Sequence, residues 1–283
     1  MQKKRSTFLV SMLAFGLAFL YIPIFLLIIY SFNYSKIVPV WGGWSTRWYT
    51  KLFESPEIWE AVMLSLKIAF VNACFATLLG TLAGLALVRF GRFKGRTLFS
   101  GMISAPLVMP EVITGLSLLL LFITLSELIG WPSSRGFATI TIAHITFSMA
   151  YVAVIIQSRL QGMDESLEDA ALDLGAKPFR VLTDITLPIL APGMMAGWLL
   201  AFTLSLDDLV IASFVTGPGS NTLPIMIYSR IRVGLRPDIN ALATIMIVTV
   251  AVGVLLAAWI MLRQEKQKVK DQQLAAADEA VSD

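Results

Sequence analysis

Residues 157–188 read QSRLQGMDESLEDAALDLGAKPFRVLTDITLP. This stretch is polar and acidic, yet apolar runs of membrane length lie on both sides of it. Long loops between such runs are functional or disordered, and this one carries helix punctuation. Ser166 stands where an N-cap belongs, with Asp169 three residues on in place of the Glu of a capping box. Ala170, Ala171, Leu172 and Leu174 favour helix, and Gly175 is a C-terminal stop. A second short helix is expected after Pro178, running to Leu187, where Pro188 closes it. The spacing thus predicts two short helices joined at a glycine. Such a knob is too polar for lipid, and its small apolar face suits a groove on another protein.

Composition says what the knob is attached to. Of 283 residues, 57% are hydrophobic and 14% charged, and the mean hydropathy is +0.76. A soluble domain carries about 25% charged residues, so a water-soluble fold would lack the charge to cover its surface. Disorder is excluded by the same numbers. Cys74 is the one cysteine and His144 the one histidine, which excludes an internal disulfide framework and a Cys/His zinc cluster. The chain contains no G-x-x-x-x-G-K-[ST], no G-x-S-x-G and no H-E-x-x-H. It reads as a non-enzyme with no catalytic residue, no metal site and no cofactor of its own. The basic residues fall in small clusters between apolar runs, which speaks against a nucleic-acid face.

Six stretches are long and apolar enough to span a bilayer, which takes about 20 residues: 8–30, 61–88, 98–125, 137–158, 191–214 and 241–262. The first follows Lys3, Lys4 and Arg5, and its apolar run is too long for a cleaved signal, so it reads as a signal anchor. With six spans, fourteen Lys and Arg fall on one side, at the N-terminus, at 89–96, in the 159–190 loop and in the tail. Seven fall on the other: Lys36, Arg47, Lys51, Arg135, Arg230, Arg232 and Arg236. The richer side is expected to be cytoplasmic, with both termini on it. The division expected is 1–60 for the first helix and outer loop, 61–262 for the main membrane domain, and 263–283 for a cytoplasmic tail. Ala76, Gly80 and Gly84 form a small-xxx-small row that reads as internal helix packing. Pro106 and Pro110, in APLVMPEV, imply a bent third span beside a cavity.

Ionisable residues inside membrane spans are functional candidates. Asp207 and Asp208 lie about 24 Å along the fifth stretch at the helical rise. They either line a cation path or pair with Arg230, Arg232 or Lys67 to hold an outer gate. Thr203 is one turn before Asp207, and Trp198, Phe202, Phe214 and Tyr228 are nearby aromatics. Glu111, after Pro110, is either a path residue or a partner of Lys67. His144, with Thr141 and Ser148 on one face, reads as a hydrogen-bonded packing residue. Trp41, Trp44, Trp48, Tyr49 and Trp59 fit an interfacial aromatic belt. Glu54, Glu57 and Glu60 offer an acidic surface to a partner.

The 157–188 stretch resembles the EAA signature of ABC importer permeases. Glu168 and Asp169 precede Ala170 and Ala171, Gly175 follows after three residues, and Ile185-x-Leu187-Pro188 after nine more. Asp169 stands where the family has Glu. The stretches FNYSKIVPVWGGWSTRWY, APLVMPEVITGLSLLLLF and AFTLSLDDLVIASFVTGPGSNTLPIMIYSRIR resemble the polyamine branch of that family, of the putrescine type. The resemblance implies an all-α, six-span permease of the type I ABC importer fold in the bacterial inner membrane. It further implies a second permease subunit completing a heterodimer, two ATPase subunits that use ATP and Mg, and a periplasmic polyamine-binding protein. The EAA loop would then be the ATPase-coupling element. Another polyamine or organic cation, and more distantly an ion-gradient transporter working alone, are the competing functions.

Overall fold

The computed structural model describes residues 7–37, 40–233 and 237–253, with 255, 259 and 263 beyond them. In chain order its helices are α1 (Thr7–Ser31), α2 (Arg47–Phe53), α3 (Pro56–Arg89), α4 (Arg96–Val108), α5 (Glu111–Ile129) and α6 (Phe137–Gln161), then α7 (Ser166–Asp173) and α8 (Pro178–Val181). A π-helical turn, Leu182–Thr186, leads into α9 (Leu187–Asp207), α10 (Val210–Val215) and α11 (Leu223–Val233), and α12 spans Pro237–Gly253. The chain divides into two compact units: residues up to Ser55 together with those from Arg230 on, and Pro56–Ser229.

In the first unit, α1 is apolar on every side and buries only Ser31, as a helix does when its solvent is lipid. The segment after it is organised by Asn33, whose Oδ1 accepts the N–H groups of Ser35 and Gly42 and whose Nδ2 donates to the Val40 carbonyl. Trp48 Nε1 donates to the Asn33 carbonyl at 2.6 Å. Trp48 is thereby buried, whereas Trp44 is 73% exposed. The expected aromatic belt therefore splits: Trp41 and Trp44 lie on the surface, while Trp48 is a structural anchor.

The second unit is built on α3, α6 and α9, which pack against one another. Close approach is possible because the facing positions are small. A Cβ on Gly80 would stand 2.7 Å from Val152 Cβ, and one on Gly84 would stand 2.8 Å from Ile156 Cγ2. The row that starts at Ala76 is thus an internal seam between α3 and α6, as its spacing suggested. Ala73, Ala76, Val152, Ile156, Leu190 and Ala201 fill the contact.

Three of the six expected spans differ from their sequence boundaries. The third, 98–125, is not one bent helix: Met109 is extended (ψ 138°) and Pro110 follows, so α4 ends and α5 starts afresh. The residue before a proline disfavours the helical region, and here that bias prevails. Pro106, four residues earlier, is tolerated inside α4. The fifth span, placed at 191–214, begins earlier and stops sooner, with Pro178–Asp207 as the membrane-length run. Chain order then breaks at Asp208, which is extended at ψ 120°. Of the sixth, 241–262, residues 241–253 belong to α12, an apolar helix that spans Pro237–Gly253. Among the described residues, five helices are long and apolar enough to cross a membrane. Lys3, Lys4, Arg5, Arg236 and the tail beyond Arg263 lie outside the described residues.

Candidate functional site: the knob and the break in α9

Two regions concentrate polar chemistry. The first is the knob. Its first helix starts at Ser166, with Glu165 already helical before it, so Ser166 is not the cap. Asp164 does that work: its Oδ1 accepts the Ser166 N–H at 3.0 Å. That hydrogen bond from the backbone, helped by the Ser166 side chain, holds the Asp164 carboxyl below its ordinary pKa of 3.8. At the other end the Ala176 N–H reaches the Ala171 carbonyl and the Gly175 N–H reaches the Leu172 carbonyl, at 3.0 and 2.9 Å. This is the Schellman closure, and it requires Gly175 at φ +84°.

Pro188 does not close the second helix, contrary to the sequence expectation. Leu187 donates its N–H to the Leu182 carbonyl five residues back, and Pro188 then sits in the first turn of α9, where its missing N–H is not needed. The π-turn lets the knob run directly into α9. Of the two adjacent acids, Glu168 turns inward: it meets Arg89 Nε at 3.1 Å and accepts from Thr186 Oγ1 at 2.6 Å. Arg89 also meets Glu165. Asp169 is exposed, as is Ala170, while Ala171, Ile185 and Leu187 are half-buried. Two ion pairs and one hydrogen bond therefore tie the knob to the end of α3 and the root of α9. Leu174 and Phe179, 90% and 75% exposed, present an apolar tip. Arg89 and Thr186 were missed from sequence because nothing in their spacing marks them as partners of Glu168.

The second region is the break between α9 and α10. His144 is buried at 2% exposure. Its Nδ1 meets Ser205 Oγ at 2.7 Å and its Nε2 meets Asp208 Oδ2 at 3.1 Å. Asp208 also accepts the backbone N–H groups of Ala212 at 2.7 Å and Ile211 at 3.3 Å, which caps α10. The partner of Asp208 is thus His144 rather than Arg230, which meets Asp238 at 3.1 Å. Asp207 is exposed at the end of α9, with exposed Thr203 one turn before it. Glu111 is exposed in the first turn of α5, and Tyr228 is exposed on α11. α5 packs on α10 through Gly115, where a Cβ would stand 2.7 Å from the Phe214 ring. Phe214 therefore belongs to the core. Trp198 and Phe202 stack at 5.3 Å beside Phe70 in a groove of about 660 Å³. Lys67 lines the same groove, and its charge opposes a second cation there.

Residues 76–270 match the family described as "Binding-protein-dependent transport system inner membrane component", and the chain belongs to that family. It is 56% identical, over 271 residues and 96% of both proteins, to the putrescine transport system permease protein PotI of Escherichia coli (strain K12). It is 42% identical, over 90% of its own length and 94% of the relative, to the spermidine/putrescine transport system permease protein PotC of the same strain. Among solved structures it resembles a chain of a bacterial ABC transporter involved in the import of the acidic polysaccharide alginate. That match has a TM-score of 0.68 at 19% identity, over 91% of this chain and 94% of the other. A chain of the MetNI methionine ABC transporter in an inward-facing conformation matches at TM-score 0.57 and 19% identity, over 77% and 98%. At these identities the structural likeness is one of fold.

Proposed function

We propose that this chain is the transmembrane permease subunit of an ATP-driven polyamine importer, with putrescine as its substrate. The observation that carries this is similarity at 56% identity across the whole length to a putrescine permease. In this reading the chain crosses the bacterial inner membrane six times with both termini inside, residues 61–262 forming the permease domain and 263–283 a cytoplasmic tail. It catalyses nothing and holds no cofactor; two ATPase subunits bind ATP and Mg. A second permease subunit completes the pore, and a periplasmic binding protein delivers the cation.

The geometry supports a route for force. The exposed tip at Leu174 and Phe179 docks into an ATPase subunit. Glu168 hands its displacement to α3 through Arg89 and to α9 through Thr186. Because α3 and α9 are core helices, moving the knob rocks the bundle between outward- and inward-open states. Asp207 and the α9 C-terminus, the negative end of its dipole, favour a cation. Glu111 and Tyr228 lie further along the proposed path. A lone gradient-driven carrier has no use for such a knob, whereas the 42% similarity to a spermidine/putrescine permease favours a second polyamine as an additional substrate. In cells stripped of other polyamine uptake, deleting this chain should abolish accumulation of labelled putrescine, and restoring it should recover uptake. Undiminished accumulation after deletion would overturn the proposal.

A further inference from the structure

From the geometry we infer that His144 is a positioning residue: by holding Asp208 as the cap of α10 it sets the break in α9, and so presents Asp207 at that helix's open end. The inference rests on the cation path proposed above. It divides the Asp207–Asp208 pair into one carboxylate that builds and one that binds.

Every oxygen of Asp208 is occupied. Oδ2 takes His144 Nε2 at 3.1 Å and the Ala212 N–H at 2.7 Å, and Oδ1 takes the Ile211 N–H at 3.3 Å. Its side chain is 8% exposed. On the far side of the imidazole, Ser205 Oγ lies 2.7 Å from Nδ1, so the ring is fixed at both nitrogens. The clamp joins α6, which carries His144, to the last turn of α9 and the first turn of α10. Helix termini leave backbone groups without partners, and such groups are costly away from water. The Asp208 cap satisfies the α10 end. If the break healed into continuous helix, the last carbonyls of α9 would be consumed by the following N–H groups. The negative helix end beside Asp207 would then vanish. Asp207 owes its cation-favouring surroundings to the break, and the break is held in register by His144.

The test uses the complex reconstituted in proteoliposomes with its partner permease, ATPase subunits and putrescine-loaded binding protein. The reading is putrescine transported per ATP hydrolysed. A merely structural defect removes active complexes and leaves that ratio unchanged. Asp207→Asn should lower the ratio about tenfold, the scale of a lost charge-assisted contact. His144→Ala should lower it about fivefold, and His144→Gln, whose amide nitrogen reaches the Nε2 position, should restore it to within about twofold. Asp208→Asn should hold it within about threefold, since with the amide oxygen in the Oδ2 position it still accepts from the Ala212 N–H and from an Nε2–H of His144, and only the longer Ile211 contact is lost. In the Asp207→Asn background, His144→Ala should add less than about twofold, as expected of coupled residues.

Multiplication of the two effects to about fiftyfold, an unchanged ratio in His144→Ala, or a failure of Gln to rescue would overturn the inference while leaving Asp207 in the path. An unchanged ratio in Asp207→Asn would remove the path assignment itself, and the inference with it. If His144→Ala does not reach the membrane, His144→Asn, which keeps reach toward Ser205 but not Asp208, takes its place in the same cycle.

Discussion

Replacing Gly175 separates backbone strain from steric clash, because the structure supplies only the first. Gly175 holds φ +84°, and a Cβ built there meets nothing within 4 Å. The penalty for a side chain is therefore conformational, about 1–2 kcal/mol for an L-residue in the left-handed region. By the usual conversion this is a loss of about five- to thirtyfold in the closed knob relative to open alternatives. Asn tolerates this region best, Ala should be intermediate, and a β-branched Val should be worst. The Schellman bonds from Gly175 to Leu172 and from Ala176 to Ala171 should open in the same order. The assay is co-purification of the ATPase subunits with membranes containing each variant, alongside labelled putrescine uptake at matched expression. Uptake and ATPase retention should fall together in the order Gly, Asn, Ala, Val. Gly162→Ala is the control: Gly162 is helical at φ −90°, and its nearest Cβ neighbour would be 3.7 Å away. Wild-type uptake by Gly175→Val would refute the reasoning, as would equal damage from Asn and Val.

Other expectations follow from the same geometry. Glu168→Ala strips Arg89 and Thr186 of a charged partner, a loss of about 1.5–3 kcal/mol. Amide exchange in α7 should accelerate at least about tenfold, and unchanged protection there would show that the tether does not hold the knob. Gly80→Ala forces a Cβ to 2.7 Å from Val152 and should cost about 1–3 kcal/mol through overpacking. A lowered thermal midpoint of the detergent-extracted complex is expected, while Gly16→Ala, with open space around its Cβ, should leave it unchanged. Asp164 is held below 3.8 by its Ser166 hydrogen bond. Because that pKa is depressed on folding, the cap's contribution is present above about 3.8 and lost as pH falls through the lower folded value. The protection factor of the Ser166 amide, its exchange corrected for the base-catalysed intrinsic rate, should thus be flat from pH 8 to 5, and a titration of that factor in this window would contradict the assignment.

The knob was legible because its punctuation is local: a glycine that must turn left-handed and a proline that must begin a helix leave marks in a single stretch. Its continuation into α9 was not, since Pro188 reads as a stop. Only the π-turn, with Leu187 bonded to Leu182, shows how the chain runs on through it. Pro106 and Pro110 carry the same sequence signal with opposite outcomes, because the residue before Pro110 leaves the helical region and the one before Pro106 does not. The Asp207–Asp208 doublet was found by its charge in an apolar run. Its division into a capping acid and an exposed one depends on His144, 64 residues away in sequence, and no local spacing reports that contact. One local signal was available: Asp208 followed by a short apolar run is an N-cap pattern, and it marks the break. Likewise His144 was read as a hydrogen-bonded packing residue, while its partners Ser205 and Asp208 were set by tertiary structure alone.

The most direct measurement of the central claim is putrescine accumulation in proteoliposomes containing this chain, its partner permease and the ATPase subunits, with loaded binding protein on the opposite side from ATP. Accumulation against the gradient should require ATP, the ATPase subunits and the binding protein together, and should stop when any one is withdrawn. Accumulation driven by an imposed ion gradient without ATP would contradict the account.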